Sequence, residues 1–212
     1  MPRKSPLGAF IDLVAPLRCP ACGGAVLEGN GFCAACEPLL EPAAACDRPP
    51  APAAAVFVYG GPLADAISRL KYHRQADAAP PLGALLAQAA SVYAGRIDRV
   101  LPMPLHPARL RERGFNQAAL LARPVARALG VPLDTSSLRR VRPTADQAGL
   151  RRSHRADNVR GAFVAAPRPQ APRVLLIDDV QTTGATLSEA ARVLLTAGYG
   201  EVLTLALAAA SA

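Results

Sequence analysis

The sequence predicts an α/β fold, a parallel sheet flanked by helices, preceded by a small cysteine-bearing segment, and three observations carry that prediction. The first is a strand–helix–strand unit near the C-terminus. Arg173, Val174, Leu175, Leu176 and Ile177 begin it as a nearly continuous apolar run, residues 186–197 place Leu187, Ala190, Ala191 and Leu194 on one helical side, and 202–207 is a second apolar run. Two such strands joined by an amphipathic helix require a crossover and a sheet covered on both faces. The second is an earlier strand pattern at 98–101 that breaks off into a loop, 102–107, where three prolines forbid regular structure. The third is a pair of C-x-x-C motifs, Cys19 with Cys22 and Cys33 with Cys36, set among Gly23, Gly24, Gly29, Asn30 and Gly31. With 212 residues, 51% of them hydrophobic, there is material for one buried core and one appendage, which divide the chain at 1–47 and 48–212.

Glycine and asparagine make 19–36 two tight knuckles rather than helices. Five cysteines, an odd number in two close pairs with Cys46 apart, suit a metal better than a disulfide framework. Ten residues separate the pairs, the spacing of a tetrahedral structural Zn²⁺ site that can fold a segment with almost no core of its own. A redox pair or a metal-free remnant is the competing reading. Cys46 reads as a packing residue.

A proline- and alanine-rich stretch, 39–55, marks the passage into the core. Residues 55–59 are β-branched and aromatic, a strand. After Gly60, Gly61 and Pro62 a helix begins with Leu63, Ile67 and Leu70 on one face. A second helix spans 81–93, and after the 98–107 strand and loop a third spans 115–129, kinked or broken at Pro124. Short strands are expected at 138–141 and 161–165. Between them 142–158 is polar and arginine-rich, without periodicity, and reads as a long functional loop.

The net charge of +8 is concentrated: residues 109–160 hold twelve arginines against Glu112, Asp134, Asp146 and Asp157, an excess equal to the whole. Such a block favours an anionic partner, a phosphate-bearing small ligand or nucleic acid, without choosing between them. Base-stacking side chains are scarce, since aromatic residues make up 4% of the chain; Tyr72, Tyr93 and Phe115 are the ones near basic residues. No apolar run approaches the roughly 20 residues of a spanning helix, and the N-terminal residues do not form a good signal peptide, so a cytoplasmic protein without membrane association is expected.

The chemistry concentrates between the last two strands. Asp178 and Asp179 end the apolar run, and Thr182, Thr183, Gly184, Ala185 and Thr186 lead into the helix. Ligands of open parallel sheets bind at the carboxyl ends of the strands. There two carboxylates can accept hydrogen bonds from vicinal sugar hydroxyls, while amides at a helix N-terminus wrap a phosphate. The string is neither a Walker A loop nor a dinucleotide fingerprint, and strand termination plus a Thr186–Glu189 capping box is the plain alternative.

Here the chain resembles the type I phosphoribosyltransferases, in which an apolar run, two acidic residues and a Thr-Gly-x-Thr-like loop form the signature. The likeness extends to 102–106, Arg109, Arg113 to Gln117, Leu70 with Lys71, and Thr144, Gln147, Leu150, Arg155, Asn158 and Gly161 to Phe163. This resembles the ComF family of competence-associated phosphoribosyltransferase-like proteins, over essentially the whole chain. What the resemblance implies is a type I phosphoribosyltransferase fold with a small N-terminal zinc ribbon on Cys19, Cys22, Cys33 and Cys36. It further implies phosphoribosyl pyrophosphate bound with Mg²⁺: Asp178 and Asp179 on the ribose, Thr182, Thr183, Gly184, Ala185 and Thr186 on the 5-phosphate, and Pro104, Leu105 and His106 on the pyrophosphate. Arg113, Asn116 and Lys71 would assist, and Arg155, or its neighbours Arg151 and Arg152, would neutralise the leaving group from the loop at 142–158. His106 and His154 lie in these loops, where a lone histidine more often orders the chain than reacts. By the same resemblance the protein acts in uptake and transformation by DNA, either as a transferase or as a module that binds single-stranded DNA and other competence proteins without turnover. A ligand sensor that regulates a partner is a third reading.

Overall fold

The computed structural model describes residues 17–26, 31–43, 53–72, 75–143 and 159–210. Four parallel strands form the main sheet: β1 (Ala53–Val58), β2 (Arg99–Pro102), β5 (Arg173–Gln181) and β6 (Glu201–Ala209), in the spatial order β1-β6-β5-β2. β3 (Leu138–Arg140) and β4 (Phe163–Ala165) form a separate antiparallel pair. Among the described residues five α-helices accompany them: α1 (Gly61–Tyr72), α2 (Ala79–Ala89), α3 (Pro107–Arg113), α4 (Gln117–Leu129) and α5 (Ala185–Thr196).

β5 shows why the sheet must be sandwiched. Its alternate side chains serve two cores: Leu175 and Ile177 join α1, α2 and α4 on one face, whereas Val174 and Leu176 join α5, Leu138 and Phe163 on the other. All four are fully buried, as a strand central to a parallel sheet requires. Both edges are covered. Along β1, the Ala43 N–H donates to Val56 O at 3.0 Å and the Val58 N–H to Glu41 O at 2.8 Å; beside β2, the Val100 N–H donates to Pro132 O at 3.0 Å. These short additions pair backbone groups that would otherwise invite edge-to-edge association.

The cysteine segment is folded against this body. Cys19, Ala21, Val26 and Phe32 belong to the same buried cluster as Leu82 of α2 and Leu205 of β6. Burying Phe32 completely contributes about 2–3 kcal/mol. A Cβ on Gly31 would collide with Pro81 Cβ, so the cysteine segment meets the start of α2 at close range.

Several element boundaries differ from the expectation. The prolines of 102–107 do not exclude regular structure throughout, because Pro107 occupies the first turn of α3, where its missing N–H has no intrahelical partner to lose. The helix expected at 115–129 runs unbroken as Gln117–Leu129 through Pro124. The helix expected at 81–93 is α2 followed by a 3₁₀ turn, Ala90–Tyr93. β5 extends beyond its apolar run to include both aspartates.

Candidate functional site

The carboxyl ends of β2 and β5 lie side by side, with Pro102 opposite Ile177. One hydrogen bond beyond the paired residues, the Met103 N–H donates to Ile177 O at 2.8 Å. The proline-rich loop is thereby drawn beside the acidic pair. Asn116 holds it from behind: its Nδ2 donates to Met103 O at 3.0 Å, while its Oδ1 caps α4 by accepting from the Ala118 and Ala119 N–H groups at 3.0 and 3.4 Å. His106 caps α3, its Nδ1 accepting from the Ala108 N–H at 3.3 Å. Both side chains thus order the loop carrying Pro104 and Leu105.

Asp178 and Asp179 each have one carboxylate oxygen fixed locally. Asp178 Oδ1 accepts from the Asp179 N–H at 2.9 Å, and Asp179 Oδ1 from the Val180 N–H at 2.8 Å. Alternation along β5 sends Asp179 to the side of α1, and there Lys71 Nζ stands 3.0 Å from Asp179 Oδ2. The lysine is 20% exposed and the aspartate 4%, so Lys71 is an ion-paired element of the site rather than a solvated helix end. Withdrawal from water favours the neutral amine, but attraction to Asp179 outweighs it and holds the ammonium above its usual range. For Asp178, burial and the neighbouring Asp179 push the carboxyl up to about 8 against the opposing pull of Lys71. Carboxylates so placed can accept hydrogen bonds from hydroxyl groups or approach a cation.

The residues expected to hold a phosphate follow at once. Gly184 adopts the left-handed conformation, φ 76°, and is the N-cap residue of α5. A side chain there would strain the turn. Thr183 Oγ1 accepts from the Ala185 N–H at 3.4 Å, and Thr182, Ala185 and Thr186 complete the turn at the positive end of a twelve-residue helix. Arg113 is more distant from the acidic pair in sequence but linked to it through α1: its Nη1 donates to Gln117 Oε1 at 2.7 Å and its guanidinium lies over the Tyr72 ring. Arg155, like Arg151, Arg152 and His154, lies outside the described residues, as does Cys46.

Residues 104–107 also line a cavity of about 360 Å³ that Arg139 and Arg140 line as well. Those arginines were not among the sequence-derived site residues. β3 reads as Leu-Arg-Arg, and its alternation gave no sign that the strand would face a loop some thirty residues earlier. Arg140 lies over Phe163 at 5.5 Å, which sets its direction.

The four cysteines are brought together. Their Sγ atoms all lie within 4.8 Å of one another, and Cys22 and Cys33 are 3.6 Å apart. Tetrahedral Zn–S bonds of about 2.3 Å put sulfurs about 3.8 Å apart, so the set fits a Zn²⁺ ion. Burial opposes ionisation of Cys19, yet backbone hydrogen bonds from Cys22, Cys33 and Ala21 draw it down to about 6. Burial and the adjacent sulfurs push Cys36 up. Four thiols so close cannot all ionise without a cation between them. Among the described residues they are also the one group of three or more side chains placed to hold a metal, and no helix is long and apolar enough to cross a membrane.

Comparison with known proteins agrees with this geometry. A family model described as phosphoribosyl transferase domain matches residues 116–212. DNA utilization protein YhgH of Salmonella typhimurium is 35% identical over 196 residues, covering 87% of this chain and 86% of that protein. Competence protein F of Haemophilus influenzae is 38% identical over 116 residues, 53% of this chain and 51% of that protein. Competence protein ComFC of Bacillus subtilis is 31% identical over 144 residues, 68% and 58% of the two chains.

Proposed function

Because the chain belongs to the ComF family and its core is a type I phosphoribosyltransferase fold, we propose that it binds phosphoribosyl pyrophosphate and serves DNA uptake and transformation. The observation that carries the ligand is the continuity of Asp178 and Asp179 with the turn at 182–186 and the N-terminus of α5. Vicinal ribose hydroxyls donate to the two carboxylates, and the 5-phosphate rests on amides and hydroxyls of Thr182, Thr183, Gly184, Ala185 and Thr186. The pyrophosphate takes the neighbouring loop, Pro104, Leu105 and His106, held in place by Asn116.

Mg²⁺ neutralises charge on the pyrophosphate when bound. Asp178 and Asp179 would be the nearest carboxylates to such an ion, which would be shared with the ligand's oxygens. In a transfer reaction, an acceptor attacks the anomeric carbon as pyrophosphate departs, and Arg155 is proposed to balance the departing charge. The structural Zn²⁺ belongs to Cys19, Cys22, Cys33 and Cys36. The domain division at 1–47 and 48–212 and a cytoplasmic location are parts of the same proposal.

Calorimetric titration of the zinc-loaded chain with phosphoribosyl pyrophosphate and Mg²⁺ tests the reading. The wild type should bind, and the Asp178→Asn, Asp179→Asn variant should lose about tenfold or more in affinity, as removal of two charge-assisted contacts requires. A folded wild type that does not bind overturns it.

A second reading has its own support: the basic excess of 109–160 and relatives named for DNA utilization and competence. In it the chain binds single-stranded DNA, with or without other competence proteins, and does not turn over. Exposed Arg111, Arg123, Arg127, Arg139 and Arg142 suit a phosphate backbone. Binding that falls steeply with salt and persists in the double aspartate variant would favour it.

A further inference from the structure

We propose that Tyr72 and Arg113 form a stacking platform for an aromatic base at the rim of the sugar–phosphate site. This rests on the assignment of residues 178–186 to the phosphoribosyl ligand and names the chemical class of what meets it. Three aromatic residues lie near basic ones in the sequence, and the fold separates them. Tyr93 and Phe115 are partly buried against the main cluster, whereas Tyr72 is 67% exposed.

Tyr72 is the last residue of α1, directly after Lys71, whose Nζ is 3.0 Å from Asp179. The ion pair fixes the helix end beside the acidic pair, so Tyr72 is attached to the rim by one peptide unit. The ring is backed by Arg113, whose guanidinium carbon lies 5.7 Å from the ring centroid. Arg113 is itself anchored, its Nη1 donating at 2.7 Å to Gln117, which is 5% exposed at the first turn of α4. Even with the guanidinium against it, Tyr72 keeps 67% of its surface exposed, enough for a second flat group to meet the ring.

An exposed aromatic ring adds nothing to the core, and a cation behind it enriches its electrostatic contrast with a second ring. A flat partner with a π-face, such as a nucleobase, fits both the exposed ring and the adjacent cation. Two sources share this chemistry: a free base that accepts the phosphoribosyl group, and a base of a single strand laid across the basic surface.

The test uses the zinc-loaded full chain with Mg²⁺ and phosphoribosyl pyrophosphate, and three probes: adenine, a short oligodeoxyadenylate, and an abasic strand of equal length. Tyr72→Ala should weaken a base-bearing probe by about tenfold, as loss of one stacked base does. It should leave the abasic strand and phosphoribosyl pyrophosphate affinity unchanged, and Tyr72→Phe should retain wild-type binding. Weakening of adenine identifies the free base as a source, and weakening of the oligonucleotide alone identifies the strand. The platform is overturned if the wild type binds neither base-bearing probe, if Tyr72→Ala binds them as the wild type does, or if it loses the abasic strand equally. Absence of phosphoribosyl pyrophosphate binding in the wild type as well as in both variants, with the Tyr72 effect on base-bearing probes intact, would instead remove the sugar-site assignment and leave the platform standing.

Discussion

Asp178 and Asp179 adjoin in the chain but differ in surroundings. Asp179 faces Lys71, whereas for Asp178 burial and the repulsion of Asp179 outweigh the attraction of Lys71. The raised value of Asp178 has a defined consequence for stability. Its folded value of about 8 exceeds the ordinary 3.8, so the folded state binds the proton more tightly than the unfolded chain does. The stabilisation is complete below 3.8 and is lost as pH rises through about 8. Asp178→Asn, which keeps the neutral form at every pH, should therefore gain thermal stability relative to the wild type as pH rises across that window. Melting curves of the zinc-loaded proteins check this, and parallel pH dependences would contradict it. Asp98, held near 2 by hydrogen bonds from Arg173 before any effect of burial, titrates below the window and does not confuse it.

At the level of elements, α2 and α4 cross at a glycine and a proline. A Cβ on Gly83 would lie 2.5 Å from Pro124 Cγ and 3.5 Å from Leu121 O. The contact explains why α4 keeps Pro124 without breaking: the ring fills the groove that Gly83 leaves open, and packing offsets the missing hydrogen bond. Gly83→Ala should therefore destabilise the protein although alanine is the better helix former. Overpacking costs about 1–3 kcal/mol against a propensity gain of about 1 kcal/mol, and a net loss of about 1 kcal/mol should be read by urea denaturation. A gain would mean that the helices separate readily.

Across the whole molecule, the cysteine segment shares its buried residues with the body of the fold. Cys19 is 1% exposed and Phe32 fully buried, in one cluster with residues of α1, α2, α4 and β6. Chelation should accordingly lower the main melting transition rather than release a small unit that melts separately. Loss of the Phe32 burial alone, at about 2–3 kcal/mol, corresponds to a fall of roughly 8 °C in a chain of this size. Scanning calorimetry with and without chelator measures it, and an unchanged transition would refute the coupling.

Local features were legible in the sequence. The βαβ unit, the acidic pair, the threonine–glycine turn at 182–186 and the cysteine spacing are each contiguous or nearly so, and periodicity or chain geometry expresses them within a few residues. The ion pair of Lys71 with Asp179, Arg113 over Tyr72, the cavity wall at Arg139 and Arg140, and the seating of Phe32 in the common core were not. Each joins segments far apart in the chain and depends on which strands became neighbours. Hydrophobic pattern states that a strand will be buried; it does not state its partner. Pairing of β2 with β5 brings the proline loop to the aspartates, and packing of α1 against that sheet brings the lysine.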